Sequence, residues 1–218
     1  MSGIRKAENT LFEQWETVFS GGGYFNRDGV VNPGQWESER EVRLLFLMKD
    51  TDGLREDLRD FLDRGGRGQT WNTVVRWAEA LSGGSTAMPD GERRRAVLRR
   101  LCVVNLKKCS GGSRVSDDVL RQAAETDQIY LKQQLSIYRP TLALACGKGS
   151  VFLAAWALEE NPPEILRDDG SGLRFYHSAL LRCPVTELRH PNRANAEEWC
   201  RKLKKFKVPV LVVHQDRK

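Results

Sequence analysis

Four apolar runs of strand length, separated by segments of helical character, constrain this chain more than any other feature. EVRLLFLM (41–48), LCVVNL (101–106), TLALAC (141–146) and PVTEL (184–188) are each bounded by polar or turn-forming residues. Largely unbroken apolarity, rather than strict alternation, suits a strand buried on both faces. Between the runs, TWNTVVRWAEAL (70–81) carries apolar residues at helical spacing and ends at Gly83-Gly84. Ser116-Asp117-Asp118 offers an N-cap and an acidic first turn for one long helix that stops before Pro140. LREDLRDFLDR (54–64), the basic stretch after Pro89-Asp90-Gly91 and the segment after Gly147 also read as helices. Strands alternating with helices imply parallel pairing and a sheet covered on both faces. The expected class is therefore α/β, a three-layer α/β/α sandwich around a central, mostly parallel four-stranded sheet. A single domain over 1–218 is expected, with the N-terminal helix and loop 1–40 as an extension. LRFYHSALL (173–181) is ambiguous between a hairpin and a short strand.

Bulk properties narrow the function classes. No run is long and apolar enough for a membrane span, and MSGIRKAENTLFEQW has no signal-peptide core, so a cytoplasmic protein is expected. Five cysteines form an odd set without a C-x-x-C pair, which argues against a disulfide framework or a zinc ribbon and for reduced structural thiols. No metal site is indicated. The net charge of +6 and the 35 Lys and Arg residues suit a polyanionic partner. Three clusters concentrate that charge: ERRRAVLRR (92–100), NLKK (105–108) and RKLKKFK (201–207). The first and last read equally well as solvated helix faces.

Open α/β sheets bind ligands beyond the carboxyl ends of their strands. That rule selects Lys49–Gly53, Asn105–Gly112, Gly147–Gly149 and Arg189–Asn195. Three of these ends carry reactive or hydrogen-bonding groups: Lys49, Asp50 and Asp52 after the first run, Asn105 after the second, His190 and Asn192 after the fourth. Asn195 with Glu198 three residues on forms an N-cap with a capping-box partner, so a helix begins directly behind Arg193 and favours phosphate there. Each residue taken alone has a plain structural reading. Asp50 caps a helix, His190 precedes a proline in a loop, Asn105 caps a turn, and Trp71 belongs to a core.

Taken together and in order, the motifs resemble the uracil-DNA glycosylase superfamily. LLFLMKDTDG matches the place of that family's first motif, with Asp50 at its Asp/Asn position. RHPNRAN matches the second, with His190-Pro191 aligned directly, and the Asn closing LCVVN matches the base-reading Asn. PTLALACGKGSV resembles the strand and turn that follow a long helix, so the likeness covers roughly 40–206. It implies a monofunctional DNA glycosylase acting on a base flipped out of double- or single-stranded DNA, with Asp50 and His190 catalytic. Asp50 would stabilise positive charge on the sugar and orient water, and His190 would donate to the leaving base's carbonyl oxygen. Asn105 would read the pyrimidine edge, with Lys49 and Asp52 beside it and Trp71 as a stacking wall; Trp77 and Tyr24 are other candidates for the wall. Arg193, Asn192, Lys107, Lys108 and Lys148 would meet DNA.

The sequence departs from the family in places. Met48-Lys49 precede Asp50 and Thr51 follows it, where the family has Gly before and Pro after. Asp52 stands where the uracil-specific branch carries a crowding Tyr, so the pocket should be roomier around the base's 5-position. A 5-modified cytosine or uracil is the expected target, with a role in defence against phage DNA; ordinary uracil repair is the alternative. With no cysteine before residue 102, the spacing does not support an iron–sulfur cluster, and no cofactor is expected. Two further readings stay open. One is a catalytically silent DNA-binding member of the fold. The other is an enzyme on free nucleotides that uses Gly147–Gly149, although GKGS is too short for a P-loop. Residues 20–36 read as a lid or a DNA-contacting loop.

Overall fold

The computed structural model describes residues 2–39, 42–109, 115–147 and 149–207. In chain order its elements begin α1 (Gly3–Val18), β1 (Gly29–Val30), α2 (Pro33–Ser38) and β2 (Leu44–Met48). There follow α3 (Leu58–Asp63), α4 (Gln69–Leu81), α5 (Gly91–Leu98), β3 (Cys102–Asn105), α6 (Asp117–Thr126) and α7 (Gln128–Ile137). The chain then runs through β4 (Leu142–Cys146), α8 (Ser150–Trp156), β5 (Leu166–Arg167), β6 (Arg174–Ser178) and β7 (Cys183–Leu188), a 3-10 turn at Pro191–Arg193, and α9 (Ala196–Lys205).

All strands join one sheet in the order β1-β3-β2-β4-β7-β6-β5. The four apolar runs are its centre, β3-β2-β4-β7, and they pair in parallel. Among the described residues the sheet has seven strands rather than the expected four. Two-residue β1 lies antiparallel on β3, while β6 pairs antiparallel with β7 and carries β5 at the far edge. Hence LRFYHSALL supplies the hairpin arm β6, and the two-residue strands are too short for any periodicity to reveal.

Alternation along β2 divides the interior. Leu45 and Leu47 face a core shared with Phe12 and Trp15 of α1, Leu120 of α6, Leu131 of α7 and Phe152 of α8. Leu44, Phe46 and Met48 face the opposite core, with Leu62 of α3, Val74 and Trp77 of α4, Leu98 of α5 and Leu203 of α9. Helices therefore cover both faces. The N-terminal segment reaches well inside, since Phe12, Trp15, Val30 and Trp36 are all buried in the first core. Among the described residues no helix is long and apolar enough to cross a membrane.

Two helices differ from expectation. The long helix after Ser116 breaks at Asp127, which closes α6 and opens α7 while its carboxylate accepts a hydrogen bond from Trp15 Nε1 at 3.0 Å. The helix expected from residue 54 starts only after Asp57, whose side chain caps it by accepting from Arg59 N. Residues 50–56 are taken up by the loop described below. The cysteines are free; burial pushes the thiols of Cys102, Cys146 and Cys183 up, which keeps them unreactive.

Candidate active site at the carboxyl edge of the sheet

Register brings the candidate loops together. Met48 lies opposite Asn105, Leu47 opposite Ala145 and Cys146 opposite Leu188, so the four parallel strands end nearly level. A cavity of about 940 Å³ opens at that edge. Lys49, Asp50, Asp52, Trp71, Asn105, His190, Asn192 and Arg193 all line it.

The Asp50 loop is a tight reversal. Asp50 Oδ1 accepts the Asp52 N–H at 3.2 Å, and Asp52 and Gly53 both sit at positive φ, 45° and 89°. Aspartate tolerates that region better than most residues and glycine occupies it freely. Asn26 fastens the loop from beneath. It accepts from the Thr51 hydroxyl at 2.5 Å and donates to the carbonyls of Leu54 and Glu56 at 2.8 and 3.3 Å. Lys49 reaches across to the start of α6: its Nζ lies 2.8 Å from Asp117 Oδ1 and 3.5 Å from the Val115 carbonyl.

His190 caps the 3-10 turn. Its Nδ1 accepts the Asn192 N–H at 3.3 Å, which leaves the single proton of a neutral ring on Nε2. Burial lowers its pKa from the ordinary histidine value, and Arg193 and Lys49 add to that, against a smaller opposing pull from Asp50 and Asp52. At neutral pH the ring is therefore an uncharged donor. The helix behind it begins as expected, with Asn195 Oδ1 accepting from Glu197 N and Glu198 N. The reciprocal half of the capping box is replaced by a Glu198–Lys202 ion pair at 2.9 Å.

Asn105 is almost fully buried yet reaches the cavity. Its backbone N–H and its Nδ2 both donate to Asp28 Oδ2, at 2.8 and 3.2 Å. Asp28 is itself wholly buried and also receives Lys108 Nζ at 2.7 and 2.8 Å and Gln134 Nε2 at 2.7 Å. The donor chain continues: Gln134 Nε2 lies 3.2 Å from the Tyr138 hydroxyl, which donates to Glu8 Oε1 at 2.8 Å. Glu8 also accepts from Val30 N and Arg59, each at 2.8 Å. Burial raises the Glu8 pKa, with Arg59 and Arg5 pulling the other way.

Trp71, early in α4, stands edge-on to Phe61 at 6.4 Å with both rings on the cavity wall. Trp77 instead is buried against Trp199, and Tyr24 is exposed outside the cavity lining.

Two lysines expected at DNA lie elsewhere. Lys108 is fully buried on Asp28, with its ammonium over the Trp15 ring at 5.2 Å, and Lys107 turns its Nζ to the Cys109 carbonyl at 2.5 Å. Lys148 lies outside the described residues. The 92–100 cluster is likewise occupied within the protein. Arg93 and Arg100 pair with Glu79, Arg99 with Asp63, Arg94 reaches Asn72 and Arg95 the Asp63 carbonyl. Exposed cationic groups at the cavity are instead Arg67, Arg189 and Arg193, none of which forms an ion pair among the described residues. Sequence reasoning places Arg189 in the Arg189–Asn195 loop without giving it a role and misses Arg67, although RGGRG between two helices was visible. Nor do residues 20–36 form a lid or DNA-contacting loop as a whole: Asn26, Asp28, Val30 and Trp36 within them are buried.

No protein-family model matches the chain, and no curated protein matches it.

Proposed function

We propose that the protein is a DNA glycosylase of the uracil-DNA glycosylase kind, hydrolysing the N-glycosidic bond of a flipped-out pyrimidine that carries a 5-substituent. The observation that carries this reading is the meeting of Asp50, Asn105, Trp71 and His190 in one cavity. In the reaction, water oxygen bonds to C1′ while the C1′–N bond breaks and its electron pair leaves with the base. Asp50 faces the positive charge that grows on the sugar and takes the water's proton. Negative charge grows on the departing base, where the His190 Nε2–H donates to a carbonyl oxygen without needing a positive ring. Trp71 offers a stacking face, and Arg67, Arg189 and Arg193 suit the phosphates flanking an extruded nucleotide.

Room at the 5-position favours a substituted base. Asp52 is exposed where a bulky aromatic would crowd the ring, and a Cβ added at Gly53 would meet nothing within 4 Å. Bases so modified occur in phage DNA, which makes defence the biological role proposed here.

The test is abasic-site formation on duplex and single-stranded DNA carrying uracil, mismatched thymine, or 5-hydroxymethyl- or glucosylated cytosine, with Asp50→Ala and His190→Ala beside the wild type. Cleavage of a 5-modified substrate, lost in both variants, is the expected result. Cleavage of uracil alone would make it a repair enzyme. DNA binding without abasic sites would leave a binding protein.

A further inference from the structure

An asparagine facing a base has two nearly isosteric ends, and a half-turn of its amide exchanges donor for acceptor. Uracil-type bases present an acceptor at O4 beside a donor at N3, whereas cytosine-type bases present a donor at N4 beside an acceptor at N3. An amide free to turn serves both orders. A fixed amide serves one.

Asn105 is fixed. Its Nδ2 donates to Asp28 Oδ2, and the same oxygen receives the Asn105 backbone N–H, so side chain and backbone are referenced to one atom. Turned over, the amide would set its Oδ1 against a carboxylate oxygen and forfeit the hydrogen bond in a buried place. Asp28 cannot swing aside to relieve this, because Lys108 grips both its oxygens and Gln134 holds Oδ1. No hydrogen bond to Asn105 Oδ1 is made among the described residues, which leaves that acceptor and one N–H for a ligand.

Given the base pocket proposed above, we propose that Asp28 is a positioning residue that sets the donor–acceptor order of Asn105 and so makes the site choose between uracil-type and cytosine-type bases. Asp28 meets no substrate. It acts through Asn105, from the position immediately before β1, the strand laid antiparallel on the edge of the parallel sheet.

The experiment compares excision of 5-hydroxymethyluracil and 5-hydroxymethylcytosine from the same duplex, two bases with one substituent and opposite edges. Asp28→Ala alone strands the Lys108 charge, so D28A/K108M is the main variant; water admitted to the space can donate or accept and frees the amide. The wild type is expected to prefer one base at least a hundredfold in kcat/KM, and D28A/K108M to prefer it less than tenfold. A merely structural loss lowers both rates together, and an unchanged ratio overturns the proposal, as does a wild type without preference. Asn105→Ala activity separates the two layers. A wild type that excises nothing takes down the pocket reading and this proposal with it, whereas an active wild type with a silent Asn105→Ala and an unchanged D28A/K108M ratio takes down this proposal alone. Should the double variant fail to melt cooperatively, the free wild type decides by NMR. The Asn105 side-chain amide, identified by its loss in Asn105→Ser, should give two resolved, slowly exchanging proton signals; averaged or rapidly exchanging protons overturn the lock.

Discussion

Replacing His190 by alanine tests the proposed chemistry most directly, because the structure specifies what is lost. The ring's Nδ1 is occupied by the Asn192 N–H, so the variant removes one neutral Nε2–H donor. Such a donor aimed at developing negative charge contributes about 3 kcal/mol to the barrier, and with a factor of ten for every ~1.4 kcal/mol the rate should fall roughly 10²-fold. The loss in stability should stay under about 1 kcal/mol, since only a long hydrogen bond in a half-buried loop goes with it. Single-turnover strand scission after alkali, alongside thermal melting, measures both. The pH profile sharpens the test. With the His190 pKa lowered below its ordinary 6.5 by burial, Arg193 and Lys49, the donor is already neutral at pH 7 and the rate should be level from there upward. A rate that declines as pH rises through 6.5–7.5 would mean that the imidazolium is the working form and would refute the argument, as would full activity in His190→Ala. The same shift carries a stability sign. Below 6.5 the unfolded chain binds the proton more readily than the folded one, so the contribution from His190 is complete above 6.5 and drains away as pH falls through the folded value.

Lys108→Met should cost about 3–5 kcal/mol by leaving Asp28 buried without its cation, seen as a lower denaturation midpoint with unchanged slope. Trp71→Ala should weaken binding to single-stranded DNA by about 1–3 kcal/mol, read by fluorescence anisotropy, beside a lower melting temperature from its lost packing on the second core; equal affinity would remove the stacking role. Each of Arg67→Ala, Arg189→Ala and Arg193→Ala should flatten the plot of log affinity against log salt on duplex DNA by about 0.9 per lost phosphate contact, and an unaltered slope would place the backbone elsewhere.

The central strands could be read from the sequence because burial on both faces leaves a local signature, an apolar run such as Leu44–Met48 that needs no knowledge of its neighbours. The edge-loop residues of the cavity followed from the same signature, since a run's end marks a loop and parallel pairing gathers the loops at one edge; Trp71, on α4, did not. What escaped was every feature fixed by a distant partner. Lys107 and Lys108 looked like a phosphate contact because the acceptor for Lys108 is 80 residues upstream, at Asp28. The arginines of 92–100 looked free because Asp63 and Glu79 sit on other helices. Asp127 interrupts a well-patterned helix at the point where Trp15, 112 residues away, donates to its carboxylate. Even β1 is invisible locally: two residues become a strand through the edge of β3.

The buried chain from Glu8 through Tyr138 and Gln134 to Asp28 has a consequence for modularity. The segment before residue 40 looks like a part that could be trimmed or exchanged, since it holds none of the groups that line the cavity. Yet it holds both carboxylates of that chain, Glu8 and Asp28, and Asp28 is the one bonded to the cavity asparagine. Grafting the four edge loops onto another α/β scaffold would therefore transplant the cavity-lining groups and leave behind the carboxylate that holds Asn105.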